Sequence, residues 1–280
     1  MAIDARFVQD ARPDLQPRQL IVTLYGLYAR DEHNWLSVAA LVRLMSELGV
    51  DGQAVRSSVS RLKRRDTLRS RSLAGAAGYS LSPAALEVLR DGDARIFHTQ
   101  RATVADGWVV VVFSVPESER EKRHELRTRL SRLGFGTAAP GVWVAPAQLA
   151  QETATVLARS GLERYVEMFR GDHLGFTDLA VKVREWWDLA ELAARSAEFT
   201  ARFRAVADRL AVRPASDAEA FRQYVPMLTT WRRLPYLDPG LPLELLPAGW
   251  SGEAASALFA ELNEEFREPA RRHAMAVIHA

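Results

Sequence analysis

The chain has 280 residues, with 37 Lys and Arg against 35 Asp and Glu, a formal net charge of +2, and 48% hydrophobic residues. That length carries two or three domains with cores of their own, and that balance is ordinary for a soluble globular protein, which excludes a uniformly polybasic binder. Cysteine is absent, so disulfides, thiolate zinc sites and a cysteine nucleophile are excluded, and the longest apolar run, Trp108 to Phe113, is far too short to cross a bilayer.

Residues 1 to about 16 read as loosely ordered, with Pro13 and Pro17 bracketing a polar stretch. They hold acidic groups and no apolar core segment, so no signal peptide is expected and the compartment reads as cytoplasmic. From Arg18 the run QLIVTLYGLYAR predicts a helix with Leu20, Ile21, Leu24, Leu27 and Tyr28 toward a core. Trp35-Leu36 fits a short strand. Ser37 is placed to cap a second helix, VAALVRLMSEL, which Gly49 ends.

Asp51 to Leu81 is the most informative stretch. Asp51 is an N-cap candidate, and neither Gly nor Pro interrupts Gln53 to Leu73. At roughly 100° per residue, Val55, Ser58, Val59 and Leu62 fall on one side of a helix. Gln53, Arg56, Ser57, Ser60, Arg61 and Arg64 fall on the other, a face of guanidinium, amide and hydroxyl groups without a carboxylate. Arginine forks match phosphate oxygens and the O6/N7 edge of guanine, and Ser and Gln add shorter hydrogen bonds. The next residues alternate as a strand does, which puts Arg69 and Arg71 on one face. Ala74 to Gly78 reads as a turn of small residues, with Tyr79-Ser80-Leu81 returning as the partner strand. Between Gln53 and Ser72 there are seven Arg or Lys and one Asp, so the charge here is local and of one sign. Helices, then a basic hairpin, then a new helix at Ser82-Pro83 is the order of a winged helix-turn-helix that binds double-stranded DNA.

Further on, Trp108 to Phe113 predicts a buried strand, and a charge-laced helix from Pro116-Glu117 has an apolar stripe of Leu126, Leu130 and Leu133. Gly141 to Val144 predicts another strand, Pro146 to about Ser160 a second helix, and Tyr165 to Arg170 a last strand. The expected order, strand-helix-strand-strand-helix-strand, is that of a ferredoxin-like α/β sandwich. From about Lys182 the chain reads as almost wholly helical, with helices from Trp186 to Leu210, from Asp217 to Leu234, and from Ser251 onward. The fold class is therefore α+β. Its expected domains are a winged helix at 1–90, a ferredoxin-like domain at 91–178 and a helical domain at 179–280.

Four stretches resemble the PaaX family of bacterial transcriptional regulators, named for control of phenylacetic acid degradation. They are TLYG at Thr23 to Gly26, QAVRSSVSRL at Gln53 to Leu62, RLGFGTAAPGVWVAP at Arg132 to Pro146, and WRRLPYLDPGLPLELLPAGWSG at Trp231 to Gly252. The last is the most specific, because its Pro and Trp spacing is no generic helical or hairpin pattern. The resemblance implies a homodimeric repressor whose winged helix binds an operator and which an aryl-coenzyme A thioester, such as phenylacetyl-coenzyme A, releases. It places DNA contact on Arg56, Ser57, Ser60 and Arg61, positions the helical projection also selects. The wing tip has Ala and Gly where cations could stand, which leaves Arg69 and Arg71 as phosphate contacts.

For the effector, the C-terminal half concentrates aromatic and basic groups. Trp187 and Tyr236 suit an aryl group, and Arg232 and Arg233 suit the phosphates of coenzyme A. No cofactor, catalytic residue or metal ligand is expected: the six histidines are scattered, and only Asp172-His173 forms an adjacent pair. Two alternatives stand beside this reading. One is a DNA-binding protein without an effector. The other is a metal-dependent nuclease on the central domain, like those of the CRISPR adaptation machinery, which hold the metal with a carboxylate at the end of the first strand. Here that strand ends Phe113-Ser114 and Glu117 lies beyond a proline.

Overall fold

The computed structural model describes residues 15–97 and 100–280. The expectation for the first residues lies, up to residue 14, outside the described ones. The contacts group the described residues into two compact units: residues 15–94, 198–232 and 255–280 form one, and residues 95–97, 100–197 and 233–254 the other. The C-terminal helical segment contributes to both.

The first unit opens with α1 (Pro17–Leu24), which widens into a π-helical turn over Tyr25–Ala29. The π turn advances the inward face, so Tyr25 joins Tyr28 and Ala29 in the core, while Leu27, expected inside, is only half-buried. Strand β1 (Trp35–Ser37) follows, then α2 (Val38–Glu47) and α3 (Gly52–Arg64). The Ser37 hydroxyl accepts the Ala40 N–H at 3.0 Å, and one Asp51 oxygen accepts those of Gln53 and Ala54, so both N-caps stand where the sequence puts them. Strands β2 (Leu68–Leu73) and β3 (Ala76–Leu81) complete a three-stranded antiparallel sheet in the order β1-β3-β2.

The hairpin turn is shorter than expected. Leu73 pairs with Ala76, leaving Ala74 and Gly75 as a two-residue loop with φ of 48° and 81°. Positive φ at both central residues matches a type I′ turn, whose twist suits the flanking strands. Helix α4 (Pro83–Phe97) then leaves the sheet. Three helices and a winged sheet are the arrangement of a winged helix. Against it, in the same unit, pack the later turns of α8 (Leu189–Leu210), α9 (Asp217–Trp231) and most of α11 (Ser251–His279). Thr23 and Thr229 share a buried hydroxyl hydrogen bond of 2.7 Å, and Trp231 stacks on Phe259 with ring centroids 4.3 Å apart.

The second unit is built on a four-stranded antiparallel sheet. Its strands are β4 (Trp108–Phe113), β5 (Gly136–Ala139), β6 (Val142–Pro146) and β7 (Val166–Gly171), in the order β5-β6-β4-β7. With α5 (Arg120–Arg132) after β4 and α6 (Ala150–Arg159) after β6, this is the expected ferredoxin-like order and sheet. Val109, Val111, Trp143 and Ala145 pack with Leu130, Leu133 and Leu149. The opposite face is covered at one end, where Trp108 and Val144 pack with Val183, Trp187, Leu192, Leu241 and Trp250. The first half of β4 is thus covered on both faces and has no polar side, whereas Val112, farther along the second face, is exposed.

This second cover comes from α7 (Leu179–Trp186), the start of α8 and the loop before α11. The helix expected from Trp186 to Leu210 is one helix that starts at Leu189, and the separate α7 before it ends at its cap residue Trp187, whose φ of −123° and ψ of 144° are extended. The short α10 (Leu234–Leu237) leads into the loop. Asp238 ties that loop down: it accepts the N–H groups of Gly240 and Leu241, the Arg101 guanidinium at 2.8 Å and the Trp250 indole N–H at 3.3 Å. Gly136 lets the sheet meet this layer, since a methyl group there would sit 2.8 Å from the Trp186 carbonyl oxygen and from the Trp187 ring. No described helix is long and apolar enough to cross a membrane.

Candidate nucleic-acid interface

The site is assembled on α3 and the hairpin that follows. Val55, Val59 and Leu62 are buried, with Ser58 between them, and anchor the helix to α1 and α2. Gln53, Arg56, Ser57, Ser60, Arg61 and Arg64 are all exposed. The division made from the helical period therefore holds residue for residue as burial. Lys63 and Arg65, also exposed, extend the cationic rim. The Asp51 carboxylate, the acid nearest this face at the helix start, is committed to capping. The Ala54 and Gln53 N–H groups hold it below its ordinary carboxylate range.

The hairpin is held by groups that periodicity did not single out. The Trp35 indole N–H donates to the Arg71 carbonyl at 3.0 Å, and the Tyr25 hydroxyl donates to the Tyr79 carbonyl at 3.0 Å. The Trp35 ring lies over Gly78 so closely that a methyl group at that position would stand 2.4 Å from it. The sequence pattern puts Gly78 in the turn; the structure shows it as a glycine inside β3, a position that permits such close approach. Lys63 lies 5.9 Å from the centre of the Tyr79 ring.

Arg69 and Arg71 are both exposed, and lie opposite Ser80 and Gly78 in the register. They differ in commitment. Arg69 donates two hydrogen bonds to Asp66, at 2.8 and 2.7 Å, and this fork holds the Asp66 carboxyl below its ordinary range. The Arg71 side chain has no partner among the described residues. Arg69 is therefore held by a carboxylate, whereas the Arg71 guanidinium is uncommitted.

The four residues selected for an effector are distributed. Trp187 is buried and its indole N–H donates to the Gly134 carbonyl at 2.8 Å. Tyr236 presents its backbone carbonyl to the same glycine and its ring to the Arg95 guanidinium at 5.2 Å. Those two thus meet about Gly134 in the second unit. Arg232 belongs to the first unit and donates to the Gln19 carbonyl at 3.2 Å, and Arg233 is the exposed residue at which the second unit resumes.

His173 of the adjacent acid-base pair lies edge-on to Trp186, with centroids 5.7 Å apart. Glu117, the carboxylate nearest the end of β4, is engaged by Arg123 at 3.0 Å. No group of three or more potential metal ligands occurs among the described residues.

Comparison with known proteins gives three adjoining family matches. Residues 16–85 match a profile described as PaaX-like protein, residues 101–183 the PaaX protein central Cas2-like domain, and residues 187–276 the PaaX-like protein C-terminal domain. A curated relative, the Transcriptional repressor PaaX of Escherichia coli strain K12, is 28% identical over 246 residues, covering 85% of this chain and 77% of its own. Among solved structures, the uncharacterized protein Rv0674 from Mycobacterium tuberculosis superposes with a TM-score of 0.52 at 22% identity. It covers 91% of this chain and 97% of that one, a likeness of fold.

Proposed function

Because the chain belongs to the PaaX family of transcriptional regulators, we propose that it is a DNA-binding transcriptional repressor of a phenylacetate-type, aromatic-acid catabolic operon. An aryl-coenzyme A thioester such as phenylacetyl-coenzyme A releases it. The observation that carries this reading is the outward face of α3, where Gln53, Arg56, Ser57, Ser60, Arg61 and Arg64 stand exposed with no carboxylate among them. An apolar inner stripe fixes that helix to its domain, so the face enters a major groove with its backbone already ordered and only its side chains left to fix.

In this reading the α3 side chains meet base edges, and Arg69 and Arg71 on the hairpin hold the flanking backbone. Phosphate contacts position the protein and base contacts select the sequence. One winged helix reads few base pairs, so the working form is a homodimer on a two-fold operator, its half-sites about 34–36 Å apart or a multiple of that. Thioester binding shifts the protein toward a form with lower operator affinity, by as much as its preference for that form.

The test is substitution on α3. Arg56→Ala and Arg61→Ala are each expected to weaken operator binding by about 1–3 kcal/mol, with less effect on a scrambled duplex. Equal losses on both duplexes would assign these arginines to phosphates. No loss on either would remove α3 from the interface and overturn the reading.

A further inference from the structure

The second unit contains a cleft of about 910 Å³ that the residues discussed so far do not explain. It lies where α7 gives way to α8 and where the loop at 247–250 enters α11. Its aromatic wall is Trp186, Trp187 and Trp250. Trp187 and Trp250 are pinned by their indole N–H groups, to the Gly134 carbonyl and the Asp238 carboxylate. Trp186 is set edge-on to Trp187 at 6.1 Å and to Trp108 at 6.0 Å. These rings form a fixed surface.

The facing wall is made of methyl groups. Ala190, Ala193, Ala194 and Ala197 lie at helical spacing along one side of α8 and all line the cleft. Four side chains of minimum size on one face leave a slot beside the indoles. The Ser251 hydroxyl donates to the Ala193 carbonyl at 2.8 Å and holds the starts of α11 and α8 together at the slot's end. Of the charged groups on the rim, Glu185 is taken by Lys182 at 2.7 Å, and Asp188 caps α8 through the Glu191 N–H at 2.9 Å. Arg184 is exposed and has no partner among the described residues.

A rigid aromatic wall, an opposing apolar wall and one uncommitted guanidinium at the mouth define a ligand chemistry. It is a flat aromatic group joined through an extended arm to an anion. The volume lies within the usual range of small-molecule sites, about 300–1,000 Å³, and admits an aryl-acyl group with its pantetheine arm. We infer that this cleft is where the aryl-acyl end of the effector lodges, between the indoles and the α8 methyl groups, with Arg184 facing the phosphates of the coenzyme. The inference rests on the effector reading above and names its site. It retains Trp187 of the four residues selected from the sequence and moves the phosphate partner to Arg184.

The experiment is isothermal titration of the full-length protein, without DNA, against phenylacetyl-coenzyme A, coenzyme A alone and phenylacetate alone. Ala190 and Ala194 are exposed, so Ala190→Leu and Ala194→Leu fill the slot without disturbing a core. Each is expected to weaken thioester binding at least tenfold with an unchanged melting temperature, while Ala205→Leu, farther along α8, leaves binding intact. Arg184→Ala is expected to weaken binding of the thioester and of coenzyme A but not of phenylacetate. Wild-type affinity in both slot-filling variants would overturn the site and leave the effector reading standing. Failure of the wild-type protein to bind any of the three ligands would overturn the effector reading, and the site with it.

Discussion

Arg71 and Arg61 carry the same charge but stand in different settings. Arg61 lies on the helix face with serine and glutamine neighbours, whereas Arg71 lies on a strand next to a turn of small, uncharged residues. If the first reads bases and the second a phosphate, Arg71→Ala reduces affinity about equally for operator and random duplex and lowers the salt slope by about one, measured by titration at several salt concentrations. A sequence-selective loss at Arg71 would place the wing in a groove. Tyr28 offers a test of packing instead. Its ring lies 6.1 Å from Phe221, and burial pushes its hydroxyl pKa well up. That hydroxyl has no hydrogen-bond partner among the described residues. Removing an enclosed donor that has no acceptor costs nothing, so Tyr28→Phe is expected to hold or raise thermal stability, by up to about 1–3 kcal/mol.

Among the elements, the hairpin carries an identifiable strain. Ala74 adopts a left-handed conformation that costs an L residue with a Cβ roughly 1–2 kcal/mol, and the position is exposed, so the side chain returns nothing in packing. Ala74→Gly should therefore stabilise the domain by up to about 1 kcal/mol in denaturant titration, while Gly78→Ala should destabilise it by forcing Trp35 off the sheet. Helix α9 gives the pH-dependent case. Its capping box joins Ser216 and Glu219, and the Arg213 guanidinium, followed by the Ser216 N–H, lowers the Glu219 pKa from 4.5 to about 2. A depressed carboxyl pKa contributes stability in full above 4.5 and loses it as pH falls toward 2. Glu219→Ala is expected to cost about 1 kcal/mol at neutral pH, the size of a helix cap, with the difference from wild type vanishing at the acid end of a melting series.

The same elements show what the sequence could and could not convey. The buried and exposed faces of α3 follow from its period alone, because Val55, Val59 and Leu62 recur at helical spacing with polar residues between them. Tyr25 falls outside the helical period because the π turn breaks it, and the residues YGLYA carry no mark of that turn. The hairpin turn reads longer in sequence than it is because Ala76 and Ala77 are as small as the true turn residues, and only pairing with Leu73 and Ser72 shows them to be strand. The break at Trp187 stands between two stretches of good helix formers, so nothing local announces it.

For the molecule as a whole, the sheet of the second unit is the organising fact. The C-terminal segment divides its residues between a layer that covers one end of the sheet's second face and the helices that pack with the winged helix. The tryptophan cleft comes from this division: it joins residues 184–197 to residues 247–251, a pairing that tertiary structure alone creates. A homodimer on a two-fold operator also belongs to this scale. Sedimentation should give twice the 31.3 kDa of the chain, and a stoichiometry of two chains per duplex. A single chain per duplex would require another source of specificity. The most direct measurement is fluorescence anisotropy of the protein on its own promoter fragment against a scrambled duplex, at two salt concentrations, with and without phenylacetyl-coenzyme A. The account predicts a preference for the promoter that survives the higher salt and disappears when the thioester is added. Equal and steeply salt-dependent binding to both duplexes, unmoved by the thioester, would contradict it.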